Sequence, residues 1–282
     1  MTKVRIVVDS TADLPAAVRS RLTVVPLNII FGTEEYIDGV TIDHKRFYER
    51  LVESDVLPTT SQPTPESFAR VFRQARSQDE DVVVLTVSSK LSGTCQSATI
   101  AAEDYPGHVF VVDTQNVALG SGILAELALQ LADAGMSAAD IAARLTMERE
   151  NVRLIAMLDT LEYLKRGGRI SKTAAFAGGL LSIKPVIEVR NGEISMLGKA
   201  RGSKQGNNLL VKEIQASGGV DFTKPLMLGY TGLNDMLLRK YIEDSSILWQ
   251  GNVTELPYTL IGSVVGTHAG PGAVAVAFFV NK

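Results

Sequence analysis

Four short stretches gather hydroxyls, glycines and single ionisable side chains at points where apolar runs break off. The first is Ser88-Ser89-Lys90-Leu91-Ser92-Gly93-Thr94, between the apolar run Val82–Val87 and a helical composition over 97–103. A hydroxyl-rich loop that opens a helix offers O–H donors, backbone N–H groups and the positive end of the helix dipole, which together suit an anion. A plain helix cap uses the same residue types, so a phosphate, a carboxylate or no anion at all fits the loop taken alone. No Gly-Lys-Ser/Thr closes it, so it is not a Walker loop, and it lacks the G-x-G-x-x-G spacing of dinucleotide sites. The second stretch, Pro58-Thr59-Thr60-Ser61-Gln62-Pro63-Thr64-Pro65, is held extended by its prolines, and Pro65 suits a first helical turn. The third, Gly266-Thr267-His268-Ala269-Gly270-Pro271-Gly272, places a near-neutral titrating group among glycines that permit close approach of a ligand. The fourth is basic and comes in two pieces, Lys165-Arg166-Gly167-Gly168-Arg169-Ile170-Ser171 and Lys199-Ala200-Arg201-Gly202-Ser203-Lys204. Ser171 is placed to cap a following helix. These cations suit either helix C-termini or a patch for a phosphate or an acidic partner surface.

Other chemistries find less support. The one cysteine, Cys95, allows no disulfide within the chain and no Cys-based metal site. His44, His108 and His268 lie far apart without ligand spacing. Asp9 and Asp113 end strand-like runs, where α/β sheets bind ligands, but with Asp13, Asp38, Asp43 and Asp159 they form no pattern that demands Mg²⁺. A hydrolase built on Ser92 and His268 lacks a G-x-S-x-G elbow and a nameable residue to orient the imidazole. A net charge of −3 over 282 residues leaves no electrostatic footprint for nucleic acid. No apolar run reaches the ~18 residues of a spanning helix, and Met1-Thr2-Lys3 leads straight into a strand rather than a signal peptide. The expectation is a cytoplasmic protein without stable membrane insertion.

The elements that must hold these stretches follow from apolar periodicity. Val4–Val8, Val24–Phe31, Val82–Val87 and Val109–Val112 read as buried strands. Helices are expected over 47–52, 65–76, 119–134 and 137–150, with Asp13 as an N-cap before Pro15 and Ser137 as an N-cap before Asp140. Strands alternating with helices imply crossover connections and a mainly parallel sheet. Further on, 185–190 and 193–197 flank Asn191-Gly192, a hairpin signal. Helices over 203–216 and 233–245 and strands over 226–230, 253–256 and 273–280 complete an α+β half. The chain is therefore expected to divide into an N-terminal α/β domain, 1–152, and a C-terminal α+β domain with a mixed sheet, 153–282.

Eight stretches resemble, in order, the motifs of the DegV family of bacterial fatty-acid-binding proteins. They are IVVDSTADLP at 6–15, TTSQPTP at 59–65, SSKLSGTCQSA at 88–98, VVDTQNVALGSG at 111–122, LDTLEYLKRGGRIS at 158–171, SIKPVIEVRNGEI at 182–194, KARGSKQ at 199–205 and VVGTHAGPGAVAVAF at 264–278. The resemblance implies a DegV-like fold, similar in architecture to the acceptor domain of dihydroxyacetone kinases. It implies a binding protein rather than an enzyme, with no metal and no cofactor beyond a palmitate-like ligand. The fatty-acid carboxylate would sit at the interdomain cleft on Thr60, Ser61, Ser92, Gly93, Thr94, His268 and Gly270, with the acyl chain in an apolar tunnel. A separate ATP-dependent kinase would phosphorylate that carboxylate, and an acyl-phosphate-using acyltransferase would consume the product in phospholipid synthesis. Arg169, Arg201 and Lys204 are then candidates for contact with the phosphoryl group or the kinase. Ile170, Phe176, Leu180, Leu181 and Ile183, in an apolar helical stretch, are candidates for the tunnel wall, although ordinary core packing accounts for them equally. Cys95 stands where the family often has an aromatic residue. The alternatives are a lipid hydrolase or phosphoryl-transfer enzyme using His268, and a lipid-sensing regulator.

Overall fold

The structure is a computed structural model and describes residues 3–170 and 183–281. The N-terminal half runs β1 (Lys3–Asp9), α1 (Ala16–Arg19), β2 (Thr23–Val25), β3 (Asn28–Phe31), β4 (Glu34–Ile37), α2 (His44–Glu53), β5 (Thr59–Ser61), α3 (Pro65–Ser77), β6 (Glu80–Thr86), α4 (Thr94–Ala102), β7 (Val109–Asp113), α5 (Ala118–Asp133) and α6 (Ala138–Glu148). It continues with β8 (Val152–Met157), α7 (Glu162–Arg166), β9 (Ile183–Arg190), β10 (Glu193–Arg201), α8 (Gly202–Ala216), β11 (Met227–Tyr230), α9 (Met236–Asp244), α10 (Ser246–Trp249), β12 (Tyr258–Leu260), α11 (Ser263–Ala269) and β13 (Val274–Phe279).

The strands form three sheets. A parallel one has the order β2-β1-β6-β7, a mixed one β10-β9-β8-β13-β11-β12, and a small antiparallel one β4-β3-β5. β8 joins the mixed sheet by pairing antiparallel with both β13 and β9. The parallel sheet reads as near-continuous apolar runs because helices cover both faces. In the mixed sheet the alternation is strict. Leu154, Ala156, Ala275 and Ala277 face the core shared with the N-terminal half, whereas Ile155, Met157, Val274 and Val276 face the core under α8 and α9.

Between the two large sheets lies α5, with eleven of its 16 residues buried. It packs on β1 and β6 on one side and on β8, β11 and β13 on the other. A helix apolar on all sides is stable only when covered on all sides.

The sequence-based expectations fail at four places, each for a local reason. The strand expected over 24–31 is split at Pro26 into β2 and β3, which belong to different sheets; proline cannot donate to a ladder. The strand expected over 253–256 is instead Tyr258–Leu260, beyond Pro257. Asp13 does not cap α1, whose N-cap is Pro15; its carboxylate Oδ1 accepts from the Gly262 amide at 2.8 Å. The glycine-rich stretch Gly266–Gly272 reads as a loop from sequence, but its first four residues, Gly266–Ala269, form the end of helix α11 (Ser263–Ala269). Ser137 does cap α6, accepting from the Asp140 amide, and Asn191 and Gly192 both take positive φ in the β9–β10 turn, as a type I′ turn requires.

The loop after β1 is pressed against the start of α5, where the Asp13 amide donates to the Ala118 carbonyl at 3.2 Å. Gly122 makes this approach possible, since a Cβ there would stand 2.3 Å from the Asp13 carbonyl oxygen. Gly122→Ala is expected to destabilise the protein by about 1–3 kcal/mol through forced separation of α5 from this loop. Denaturant unfolding measures it, and an unchanged midpoint would contradict the packing described.

Candidate functional site

A cavity of about 330 Å³ lies where the parallel sheet, the small sheet and the mixed sheet meet, within the range usual for small-molecule sites. Its walls are mainly apolar, with a few polar groups at one end. Loops after β1 and β6 supply Thr11, Leu91, Ser92 and Gly93; β5 and its exit supply Thr60, Ser61 and Gln62; the end of α11 supplies His268. The crevice thus lies beyond the carboxyl ends of β1 and β6, where α/β sheets place their ligands.

A buried carboxylate organises this end. Asp9 accepts from the Thr11 amide at 2.9 Å, the Thr11 hydroxyl at 2.6 Å and the Val87 amide at 2.7 Å. These bonds tie the loops after β1 and β6 to one another, against a desolvation that pushes the Asp9 pKa up. The Ser88–Thr94 loop is fixed from the other side by the Ser88 hydroxyl, which donates to the Gly192 carbonyl at 2.8 Å in the β9–β10 turn. Within the loop the Ser92 hydroxyl is 2.9 Å from that of Thr94 and accepts from the Thr94 amide at 3.3 Å. α4 begins at Thr94, so the positive end of its dipole stands directly behind Ser92.

His268 occupies the last turn of α11. That helix is anchored at its start by the Asp13 bond to Gly262 and by the Tyr48 hydroxyl, which donates to the Ile261 carbonyl at 2.8 Å. The imidazole Nε2 lies 3.2 Å from the Thr60 hydroxyl. Its Nδ1 is buried without a hydrogen-bond partner among the described residues. Gly167 admits the ring, because a Cβ there would stand 2.2 Å from Nδ1. Arg169 lines the rim, its guanidinium donating to the carbonyls of Leu91 at 3.2 Å and Gly167 at 2.5 Å. Burial first and the Arg169 charge second hold the imidazole neutral, with a pKa lowered to about 4.

Five of the seven residues proposed for a carboxylate, Thr60, Ser61, Ser92, Gly93 and His268, line this one cavity, and Arg169 joins them. Thr94 stands behind Ser92, fully buried, and does not line the cavity. Gly270 turns its α-carbon toward the Tyr163 ring, which a Cβ would meet at 2.3 Å, so it packs on α7 instead. Arg201 and Lys204 are exposed where β10 passes into α8, away from the cavity wall. Ile170 is buried in the shared core and Ile183 starts β9 opposite Arg201; neither is a wall residue. Phe176, Leu180 and Leu181, and the Ser171 cap, lie outside the described residues. Strands supply Leu154, Ala156, Ile187, Val189, Ile194 and Ala275 to the wall, and α11 supplies Val264, Val265 and Ala269. Sequence reasoning sought it in a helix and passed over these alternating strand positions. It also passed over Thr11 and Gln62, although both lie inside stretches already singled out.

Among the described residues no group of three or more His, Cys, Asp or Glu is placed to hold a metal ion, and no helix is long and apolar enough to cross a membrane. In the ligand-free protein the His268 imidazole is expected to titrate near pH 4 rather than at its ordinary 6.5. Between those values the unfolded chain binds a proton that the native chain refuses, so His268 makes stability fall as pH drops through that window. Imidazole proton shifts in a His268-resolved NMR titration measure this, and a midpoint near 6.5 would contradict the buried, uncharged state.

The DegV family model, described as "Uncharacterised protein, DegV family", matches residues 3–281. A DegV domain-containing protein of Deinococcus radiodurans is 36% identical over 281 residues, spanning 97% of this chain and 97% of that protein. The solved structure of a DegV family protein from Thermus thermophilus, described for its fatty acid binding, is similar with a TM-score of 0.88 at 35% identity, over 99% of this chain and 100% of that one. A stearic acid-binding protein from Eubacterium ventriosum is similar with a TM-score of 0.86 at 28% identity, over 98% of this chain and 97% of that one. Matched along its length by the family model and by relatives of the same size, the chain belongs to the DegV family.

Proposed function

We propose that this chain binds a long-chain fatty acid, its carboxylate on Thr60, Ser61, Ser92, Gly93 and His268 and its acyl chain in the apolar cavity. The observation that carries the reading is one cavity with hydroxyls and a neutral imidazole at one end and an apolar remainder. That division matches an amphiphile with a single anionic head. The fatty acids of the Thermus and Eubacterium relatives support it. Two hydroxyls each donate one hydrogen bond to a carboxylate, and the start of α4 adds a favourable field. A neutral imidazole donates one N–H, and the arriving negative charge draws its pKa upward. The tail supplies most of the affinity, at about 0.8 kcal/mol per buried CH₂, or on the order of ten kcal/mol for a sixteen-carbon chain before ordering costs.

In this reading the N-terminal unit, 1–152, contributes the hydroxyls, and the C-terminal unit, 153–282, contributes the imidazole and most of the apolar wall. The protein acts in the cytoplasm as a carrier, not an enzyme. It presents the carboxylate to a separate ATP-dependent kinase, and the acyl phosphate passes to an acyltransferase of phospholipid synthesis. Arg169 at the rim suits the phosphoryl charge, and the exposed Arg201 and Lys204 suit a partner surface. A hydrolase reading is disfavoured by His268 itself, whose Nδ1 meets no orienting carboxylate among the described residues.

The double variant Thr60→Ala, Ser92→Ala is expected to weaken fatty-acid binding at least tenfold in a fluorescence or calorimetric titration, with thermal unfolding little changed. Unaltered affinity would overturn the head-group assignment. Arg169→Ala is expected to slow phosphorylation of the bound acid by the partner kinase at least tenfold while the acid remains bound; an unchanged rate would remove Arg169 from the phosphoryl site.

A further inference from the structure

Where the loop after β1, the loop between β4 and α2 and the start of α11 converge, polar groups are buried together outside the cavity. They are Asp9, Ser10 and Asp13, then Asp38, then Ser263, with Arg19 of α1 and His44 of α2 beside them. Asp9 and Asp13 are engaged by the backbone amides already described. Asp38 is not. Its side chain is wholly buried, and neither carboxylate oxygen has a hydrogen-bond partner among the described residues. The His44 Nε2 stands 3.7 Å from its Oδ1, beyond hydrogen-bond reach. The Ser263 hydroxyl is buried and likewise unpartnered among the described residues.

The backbone fixes Asp38 all the same. Its amide donates to the Leu27 carbonyl at 3.0 Å, and the Leu27 amide donates to the Ser10 hydroxyl at 3.1 Å. The carboxylate faces the hydroxyls of Ser10 and Ser263. The same groups close round Gly262, where a Cβ would stand 2.9 Å from the Asp13 Oδ1 and 3.2 Å from the His44 Nε2. A carboxylate in this setting weakens the ligand-free fold. Burial pushes its pKa up, against the opposing pull of His44, and no N–H is aimed at it. What Asp38 does offer is an acceptor opposite the first residue of α11. The Ser263 carbonyl is taken by the Thr267 hydroxyl at 3.0 Å, and its own hydroxyl is the spare donor. α11 presents Val264, Val265, His268 and Ala269 to the cavity, so whatever fixes Ser263 fixes that wall. His268 lies about 7.5 Å further along the helix, at ~1.5 Å per residue.

We propose that Asp38 is a positioning residue for the ligand: with an acid in the cavity, its carboxylate accepts from the Ser263 hydroxyl and from the His44 Nε2–H and locks the start of α11. His268, at the other end of that helix, is thereby held on the head group. This rests on the fatty-acid reading above and adds to it a residue that never touches the acid. Asp13 fixes the backbone at the entry of α11 with or without ligand; Asp38 completes the hold when the wall is loaded.

The test uses the full-length protein and two measurements, thermal unfolding without lipid and calorimetric titration with palmitate. Asp38→Asn keeps the shape and removes the buried charge. It is expected to raise the unfolding midpoint and yet weaken palmitate binding about three- to tenfold, since an amide offers one acceptor oxygen and no charge-assisted bond. Ser263→Ala is expected to weaken binding to a similar degree. The double variant is expected to bind no worse than the weaker single one, because both remove the same bond. The NMR signals of the His268 ring in the palmitate complex are expected to differ between Asp38→Asn and wild type. Unchanged affinity in Asp38→Asn, stability and affinity falling together, or additive losses in the double variant would each overturn the proposal and leave the fatty-acid reading intact. Wild-type protein that binds no palmitate would overturn both.

Discussion

A helix with no polar face can exist only between two covering surfaces, and α5 is that helix. It begins Ala-Leu-Gly-Ser-Gly-Ile-Leu-Ala and carries no acidic residue in its first turn and no basic residue in its last. The parallel sheet covers one side and the mixed sheet the other, so burying α5 brings the two large sheets face to face. Their separation is one helix diameter wherever α5 lies between them. Where the helix starts, at Val117 and Ala118, it leaves space, and both residues line the cavity. The cavity is thus the unfilled end of a layer that α5 fills elsewhere. Ala118 enters the helix at a φ of +52°, a left-handed conformation that L-residues avoid, held by its bond from the Asp13 amide.

The polar end is assembled by buried groups that never face the ligand. Asp9 holds the loops after β1 and β6, and Asp13 holds the start of α11. Burial pushes the pKa of both upward, most strongly for Asp13, so each is tolerated only because backbone N–H groups are aimed at it. Asp13 has a further consequence, because α11 carries His268 at its far end. A residue of the first loop of the chain thereby positions an imidazole more than two hundred residues later. Charge is kept away from the depth of the cavity: the imidazole is neutral, and the guanidinium of Arg169 stays at the exposed rim.

Much of this arrangement was legible before the structure, and the parts that were not share a cause. The buried strands, the Ser137 cap and the Asn191-Gly192 turn depend on local chemistry, which a sequence displays directly. α11 does not. Ser-Val-Val-Gly-Thr-His-Ala is β-branched and contains glycine, a poor helix former on its own; it is helical because Asp13 and Tyr48 fix its entry and the small sheet and α2 receive its side. The hydroxyls were visible as motifs, yet only tertiary packing separates Ser92, which lines the cavity, from Thr94 two residues on, which supports it. The tunnel wall was sought in a helical stretch because apolar residues cluster there, whereas alanines in strands look like ordinary core. Which of them line the cavity depends on how the sheets and helices pack, and no local pattern encodes that.

The central claim is that one cavity holds one carboxylate-headed long chain. Native mass spectrometry of the intact protein, purified without added lipid and again after exposure to palmitate, tests it most directly. The account predicts a single bound mass per chain that dissociates on denaturation as a long-chain fatty acid. Protein that is empty as purified, and remains empty after exposure to palmitate, would contradict it.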